Sequence, residues 1–285
     1  MLEDHEFALC LTHDVDRVYK TFQAPYYAVR DRDPSHLRSL TSSERPYWQF
    51  EEIMELEEEL GVRSSFYFLT ERDLFRDKGP RDWVNPTKWK LFAGRYDVRD
   101  EEFVDMIRTL DEGGWEVGLH GSYESYDDPE RLRYEKETLE EVVGHEIAGG
   151  RQHYLNLNEP ETWEYHREIG LQYDASLGSS TDFGFQHGYD PIRPFDDEFV
   201  VFPLTAMEVT LMNNTDGRSP TEAGRELMRT AAKENAIVTL LWHPRFFNDD
   251  EFPGYRTLYS ELVQFAQDQG AWIGPCRDLL EIINN

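Results

Sequence analysis

The first apolar run of the chain ends in Thr12-His13-Asp14-Val15-Asp16. Residues two apart point to the same side of a strand, so Asp14 and Asp16 converge while His13 and Val15 face away. Two carboxylates leaving the tip of a strand suit a metal ligand beside a general base; Asx-type loop capping is the plainer use of the same pair. A second run, Trp115-Glu116-Val117-Gly118-Leu119, delivers His120, with Glu124 four residues on. Histidine and carboxylate both bind metals, and this spacing can put them on one turn. A third run, 236–242, carries His243 at its tip, followed by Pro244. One strand-tip histidine is ordinary. Two of them with an Asp-x-Asp form a constellation able to hold a metal beside a general base.

Such residues need a scaffold that gathers strand ends. Short apolar runs predict strands at 7–12, 64–69, 115–120, 146–150, 171–175, 199–204 and 236–242. Helical periodicity lies between them, at 47–60, 100–110, 129–143, 160–169, 220–234 and 255–269. In the first of these, Phe50, Ile53, Met54, Leu56 and Leu60 share a face and Gly61 ends the helix. Strand–helix alternation without repeats or linkers predicts an α/β fold with a parallel sheet, in one catalytic domain over 1–285. Long loops at 17–45, 70–97 and 178–197 interrupt the rhythm. In a barrel, loops that follow strand C-termini build the active site.

Taken in order, these elements resemble the polysaccharide deacetylases, the NodB homology domain of carbohydrate esterase family 4. Segment 12–16 is similar to the family's Thr-Phe-Asp-Asp-Gly motif in an Asp-x-Asp variant. Segment 120–124 resembles His-(Ser/Thr)-x-x-His, Arg151-Gln152-His153-Tyr154 resembles Arg-x-Pro-Tyr, and 240–243 resembles Leu-x-x-His; Tyr173-Asp174-Ala175-Ser176 sits where members carry a Tyr-Asp-Ser-type segment. The resemblance implies a distorted (β/α) barrel of about seven parallel strands and a divalent metal, Zn²⁺ by preference. It implies Asp16 and His120 as metal ligands, Asp14 as general base oriented by Arg151, His243 as general acid, and the Tyr154 backbone N–H as an oxyanion donor. The implied reaction is N-deacetylation of an N-acetylated sugar or glycan precursor. A metal lowers the pKa of water to about 7 and polarises the acetamide oxygen, and an acid protonates the departing amine.

Three positions depart from the family pattern. Val15 stands where the second Asp of an adjacent pair is usual, and the roles of Asp14 and Asp16 can be exchanged on chemistry alone. Glu124 replaces the second histidine; as a ligand it would lower the site's positive charge. His153 replaces a proline and shares strand parity with Arg151, so it is the alternative third ligand. Trp242, Arg245 and His187 are candidate substrate contacts beside Tyr154, and His5, His36, His145 and His166 read as surface residues. Hydrolysis of a small non-sugar amide, or a catalytically inactive carbohydrate-binding barrel, are the competing readings. Retention of Asp14, Arg151 and His243 counts against the inactive one.

Composition bounds the setting. There are 57 acidic and 29 basic residues, for a formal charge of −28. Self-repulsion on that scale suits a salt-adapted protein, because at 1 M salt the Debye length is about 3 Å. No basic stripe suggests nucleic acid, no run reaches membrane-spanning length, and no leader pattern precedes 7–12, which together predict a cytoplasmic protein. Cys10 and Cys276, the two cysteines, lie in apolar surroundings and read as small buried hydrophobes. Salt adaptation predicts that the thermal midpoint rises as KCl goes from roughly 0.1 M to 2 M. A flat or falling midpoint in a calorimetric salt series contradicts it.

Overall fold

The computed structural model describes residues 4–20, 23–30, 32–40, 45–213 and 217–284; residues 1–3 and parts of loop 17–45 lie outside the described set. Nine strands form one sheet: β1 Phe7–Val15, β2 Ser65–Leu69, β3 Glu116–Gly121, β4 Gly149–Gln152, β5 Tyr173–Asp174, β6 Val200–Val201, β7 Ala206–Met207, β8 Ile237–Leu241 and β9 Ala271–Gly274. Every ladder is parallel, in the order β6-β5-β4-β3-β2-β1-β8-β7, with β9 against the first half of β1. The chain from β6 to β7 bridges the two edges. Phe202 and Leu204 donate N–H bonds to the Asp174 and Leu177 carbonyls, and Thr205 donates to Thr239 of β8. With β6 and β7 as one bent stave beside β1 to β5 and β8, the ring is the seven-stave distorted barrel expected, and β9 is an addition.

Strand parity sorts β1 between two cores. Phe7, Leu9, Leu11 and Val15 pack outward under the helices, whereas Ala8 and Cys10 point into the barrel with Tyr67, Tyr173, Phe202 and Cys276. The barrel is thus filled, not a pore. Glycine makes room for its two tyrosine rings: a Cβ on Gly149 would sit 2.4 Å from the Tyr173 ring, and one on Gly118 would sit 2.7 Å from Tyr67. Larger residues there would displace the rings that support the floor of the site.

Helices cover the outside: α1 Gln23–Arg30, α2 Phe50–Leu60, α3 Pro86–Phe92, α4 Glu101–Glu112, α5 Pro129–Val143, α6 Glu161–Glu168, α7 Glu208–Asn213, α8 Pro220–Glu234, α9 Tyr255–Asp268 and α10 Cys276–Asn284. Local chemistry sets several ends. Asp128 and Ser219 accept N–H bonds at the starts of α5 and α8, each followed by proline at the first helical position. Gly61 ends α2 with φ 69°. The short helices α1 and α3 fold within the long loops 17–45 and 70–97, where periodicity is too brief to signal them. No helix among the described residues is long and apolar enough to cross a membrane. His166, expected at the surface, is buried between Gln152 and Asp174.

Glu57 on α2 is fully buried on the core face. Its carboxylate faces His13 Nε2 at 2.9 Å and accepts from Ser64 Oγ at 2.9 Å, Trp115 Nε1 at 2.7 Å and Tyr259 OH at 2.5 Å. The other His13 nitrogen lies 2.6 Å from the Trp242 carbonyl. This network ties α2 and α9 to β1 and to the segments flanking β2, β3 and β8 behind the Asp14–Asp16 tip. Glu57→Ala leaves buried donors without an acceptor, so denaturant unfolding should show a loss of about 3–5 kcal/mol. A loss under about 1 kcal/mol would mean that the network contributes little.

Candidate active site

β1 delivers Asp14 to the interior face and Asp16 just past its end, as strand parity requires. The register places His120 beside Leu69 on one side and Arg151 on the other. Arg151 is buried and binds Asp14 Oδ1 at 2.8 Å, Thr12 Oγ1 at 2.9 Å and the Ala175 carbonyl at 2.7 Å. Burial opposes ionisation of Asp14, but Arg151, His120 and His243 outweigh it and hold its pKa below the usual carboxylate value.

Asp16 is the centre of a denser cluster. His120 Nε2 and His153 Nε2 each lie 3.3 Å from its Oδ1. Candidate ligand atoms of Asp16, His120 and His153 fall within 4.8 Å of one another. The far nitrogens are directed elsewhere. His120 Nδ1 lies 2.8 Å from the Arg151 carbonyl, and His153 Nδ1 lies 3.7 Å from Glu71 Oε2. An imidazole that gives its Nδ1 proton to an oxygen presents an Nε2 lone pair, as a metal-binding histidine does. Two nitrogens and one carboxylate oxygen, with positions left open, fit a catalytic divalent ion such as zinc. Burial works against the charge of Asp16, yet His153, His120 and His243 draw its pKa well below the usual range.

Glu124 takes no part. Its carboxylate is held by Arg72 at 3.0 Å, Lys78 at 2.7 Å and Lys88 at 3.3 Å. The chain turns after β3 and sends Glu124 to loop 70–97, which it clamps. His153, the alternative third ligand, is the one brought to Asp16.

His243 stands opposite. Its Nδ1 lies 2.8 Å from Glu208 Oε1 and its Nε2 3.6 Å from Asp16 Oδ2. Glu208 opens α7 and is fully buried. Glu71 and Glu208 escaped the sequence reading, although both follow strand tips (β2 and β7), the same signal that marked the histidines. Arg245 approaches Asp16 Oδ2 at 3.3 Å. Tyr154 and Leu155, with left-handed φ of 61° and 57°, line the cavity beside His153. Non-glycine residues in that region store strain, which concentrates at functional sites.

Two expected substrate contacts lie elsewhere. Trp242 is buried against Tyr255 and Tyr259, because it precedes His243 by one residue and parity turns it outward. His187 is exposed and outside the cavity. The Tyr189 carbonyl two residues on accepts from Ile237 at the start of β8, so this part of loop 178–197 lies toward the end of the barrel away from His243, while Ser180 of the same loop lines the cavity.

The cavity measures about 620 Å³ and is lined by Asp14, Asp16, His120, His153, Tyr154 and His243 together with Gln23, Tyr26 and Tyr27 of α1 and Lys90 of α3. Arg17, Arg95 and Arg245 also line it. Burial and the neighbouring Arg95 push the Arg17 pKa down to about 9.

No family model and no curated protein matches the sequence. Solved structures match in fold. One assigned as a polysaccharide deacetylase from Mycobacterium smegmatis gives a TM-score of 0.61 over 99% of this chain and 91% of its own, at 17% identity. The chitin deacetylase of Colletotrichum lindemuthianum gives 0.51 over 95% and 86%, at 12% identity. A 4-alpha-glucanotransferase from Thermococcus litoralis gives 0.54 over 96% of this chain and 40% of its own, at 15% identity. The chain therefore has the NodB-type polysaccharide-deacetylase fold. That fold also occurs in a glycosyl-transfer enzyme, so chemistry must be argued from the site.

Removing any of Asp16, His120 or His153 by alanine substitution should weaken zinc binding at least about 100-fold, and Glu71→Gln about 10- to 100-fold. Glu124→Ala should leave it within about twofold. Calorimetric zinc titration of the five variants checks the set; loss of binding in Glu124→Ala alone would reverse the assignment.

Proposed function

We propose that the protein is a metal-dependent amide hydrolase, a single catalytic domain that removes the acyl group from an N-acylated sugar. One observation carries this reading. A prospective metal triad (Asp16, His120, His153), an Arg-held carboxylate (Asp14) and a carboxylate-oriented imidazole (His243) face one cavity.

A divalent ion held by the triad would supply a Lewis acid to the amide carbonyl and make water more acidic. The side chains supply the rest. Arg151 fixes Asp14 Oδ1, which leaves its other oxygen to take a proton from attacking water. Glu208 holds the Nδ1 side of His243 and steadies an imidazolium, whose Nε2 proton passes to the leaving nitrogen. Without that proton the amine would leave as an anion. The Tyr154 N–H is assigned to the developing oxyanion.

Helices α1 and α3 contribute cavity walls, which favours a small substrate over a long polymer and keeps hydrolysis of a small non-sugar amide as the second reading. An acetate-release screen over N-acetylated mono- and oligosaccharides and simple amides separates the two. Asp14→Asn and His243→Ala should each lower kcat by about 10²–10⁴ with zinc stoichiometry unchanged. Full activity in either variant would remove that residue from the mechanism.

A further inference from the structure

We propose that the cavity is built for an anionic substrate, one that carries a carboxylate or phosphate beside its amide. The inference rests on the amide-hydrolase reading and adds to it the class of substrate.

Across the chain, acidic residues outnumber basic ones, 57 to 29. The cavity wall inverts this ratio: Arg17, Lys90, Arg95 and Arg245 line it, against the two carboxylates Asp14 and Asp16. Both carboxylates are already engaged. Asp14 is neutralised by Arg151, and Asp16 faces two imidazoles and Arg245. Arg245 answers Asp16, whereas Arg95 is held by bonds that leave its charge in place. Arg95 donates to the Leu91 carbonyl and the Asp16 carbonyl at 2.8 Å each, and Arg17 donates to the carbonyls of Ala93 and Lys90. A carbonyl satisfies a donor without cancelling its charge.

Lys90 makes the contrast sharpest. Its ammonium lies 5.4 Å from the centre of the Tyr154 ring, and among the described residues no carboxylate pairs with it. On the same loop, Arg72, Lys78 and Lys88 converge on Glu124. Carboxylates are plentiful in this protein, yet among the described residues neither Lys90 nor Arg95 pairs with one. Positive charge gathered in a partly enclosed space is unfavourable without a counter-charge, and a metal ion would add to it. A carboxylate or phosphate would supply that counter-charge through short hydrogen bonds charged on both sides, whereas a neutral acetamido sugar offers only uncharged acceptors.

Calorimetry on the full-length protein, metal-free and zinc-loaded at one fixed salt concentration, tests this. The ligands are N-acetylglucosamine, N-acetylglucosamine 6-phosphate and the corresponding N-acetylglucosaminuronic acid. At least one anionic ligand should bind about tenfold or more tighter than the neutral sugar in the metal-free protein, and the better of the two identifies the charged group. Lys90→Glu should close most of that gap while the neutral sugar binds as before. Equal affinities, a preference present only with zinc, or a gap unchanged in Lys90→Glu would each overturn the proposal. Anion preference without acetate release from any of the three would keep this inference and count against the deacetylase reading.

Discussion

Two imidazole nitrogens stand 3.3 Å from the same oxygen of Asp16, with a third imidazole and a guanidinium on its other oxygen. Every functional statement depends on this crowding. A carboxylate taken from water is unfavourable unless its charge is answered, and here the answering groups come from three strand tips and the segments that follow them. The Nε2 atoms of His120 and His153 both face one carboxylate oxygen, and a cation seated between them would take all three as ligands. The barrel exists, in functional terms, to make these tips meet.

The supports are polar and lie one step behind the chemistry. Arg151 braces Asp14, Glu71 faces the far nitrogen of His153, and Glu208 faces the far nitrogen of His243. Behind the sheet, Glu57 and His13 anchor β1 from its outer face. Alternation along one strand thus gives His13 a structural task and Asp14 a chemical one, although they are neighbours in sequence. Glycines in β3 and β4 let the tyrosines of the barrel floor approach closely enough to carry this load.

How much of this was legible follows from the range of the signals. Strand-tip position marks Asp14, Asp16, His120 and His243, and period-two alternation pairs the two carboxylates, because both signals need only local geometry. Proline and capping residues fixed the extents of α5 and α8 for the same reason. The supporting glutamates were hidden because their meaning comes from partners 35 to 82 positions away: Glu208 with His243, Glu57 with His13, Glu71 with His153. Glu124 was favoured over His153 by motif spacing, and spacing cannot tell which way the chain turns after β3. Trp242 is expected at the site only while parity is left out: one residue before the strand-tip His243, it turns outward. Strand β9 and helix α10, at the end of the chain, went unread, and the short helices α1, α3 and α7 offered too few turns to register.

The central claim is that Asp16, His120 and His153 share one divalent ion. Crystals of the zinc-loaded protein, measured on both sides of the zinc absorption edge, test it without reference to turnover. The account predicts a single strong anomalous peak within bonding distance of both Nε2 atoms and an Asp16 oxygen, about 2.0–2.2 Å. A peak at Glu124, or none near the two histidines, would contradict it.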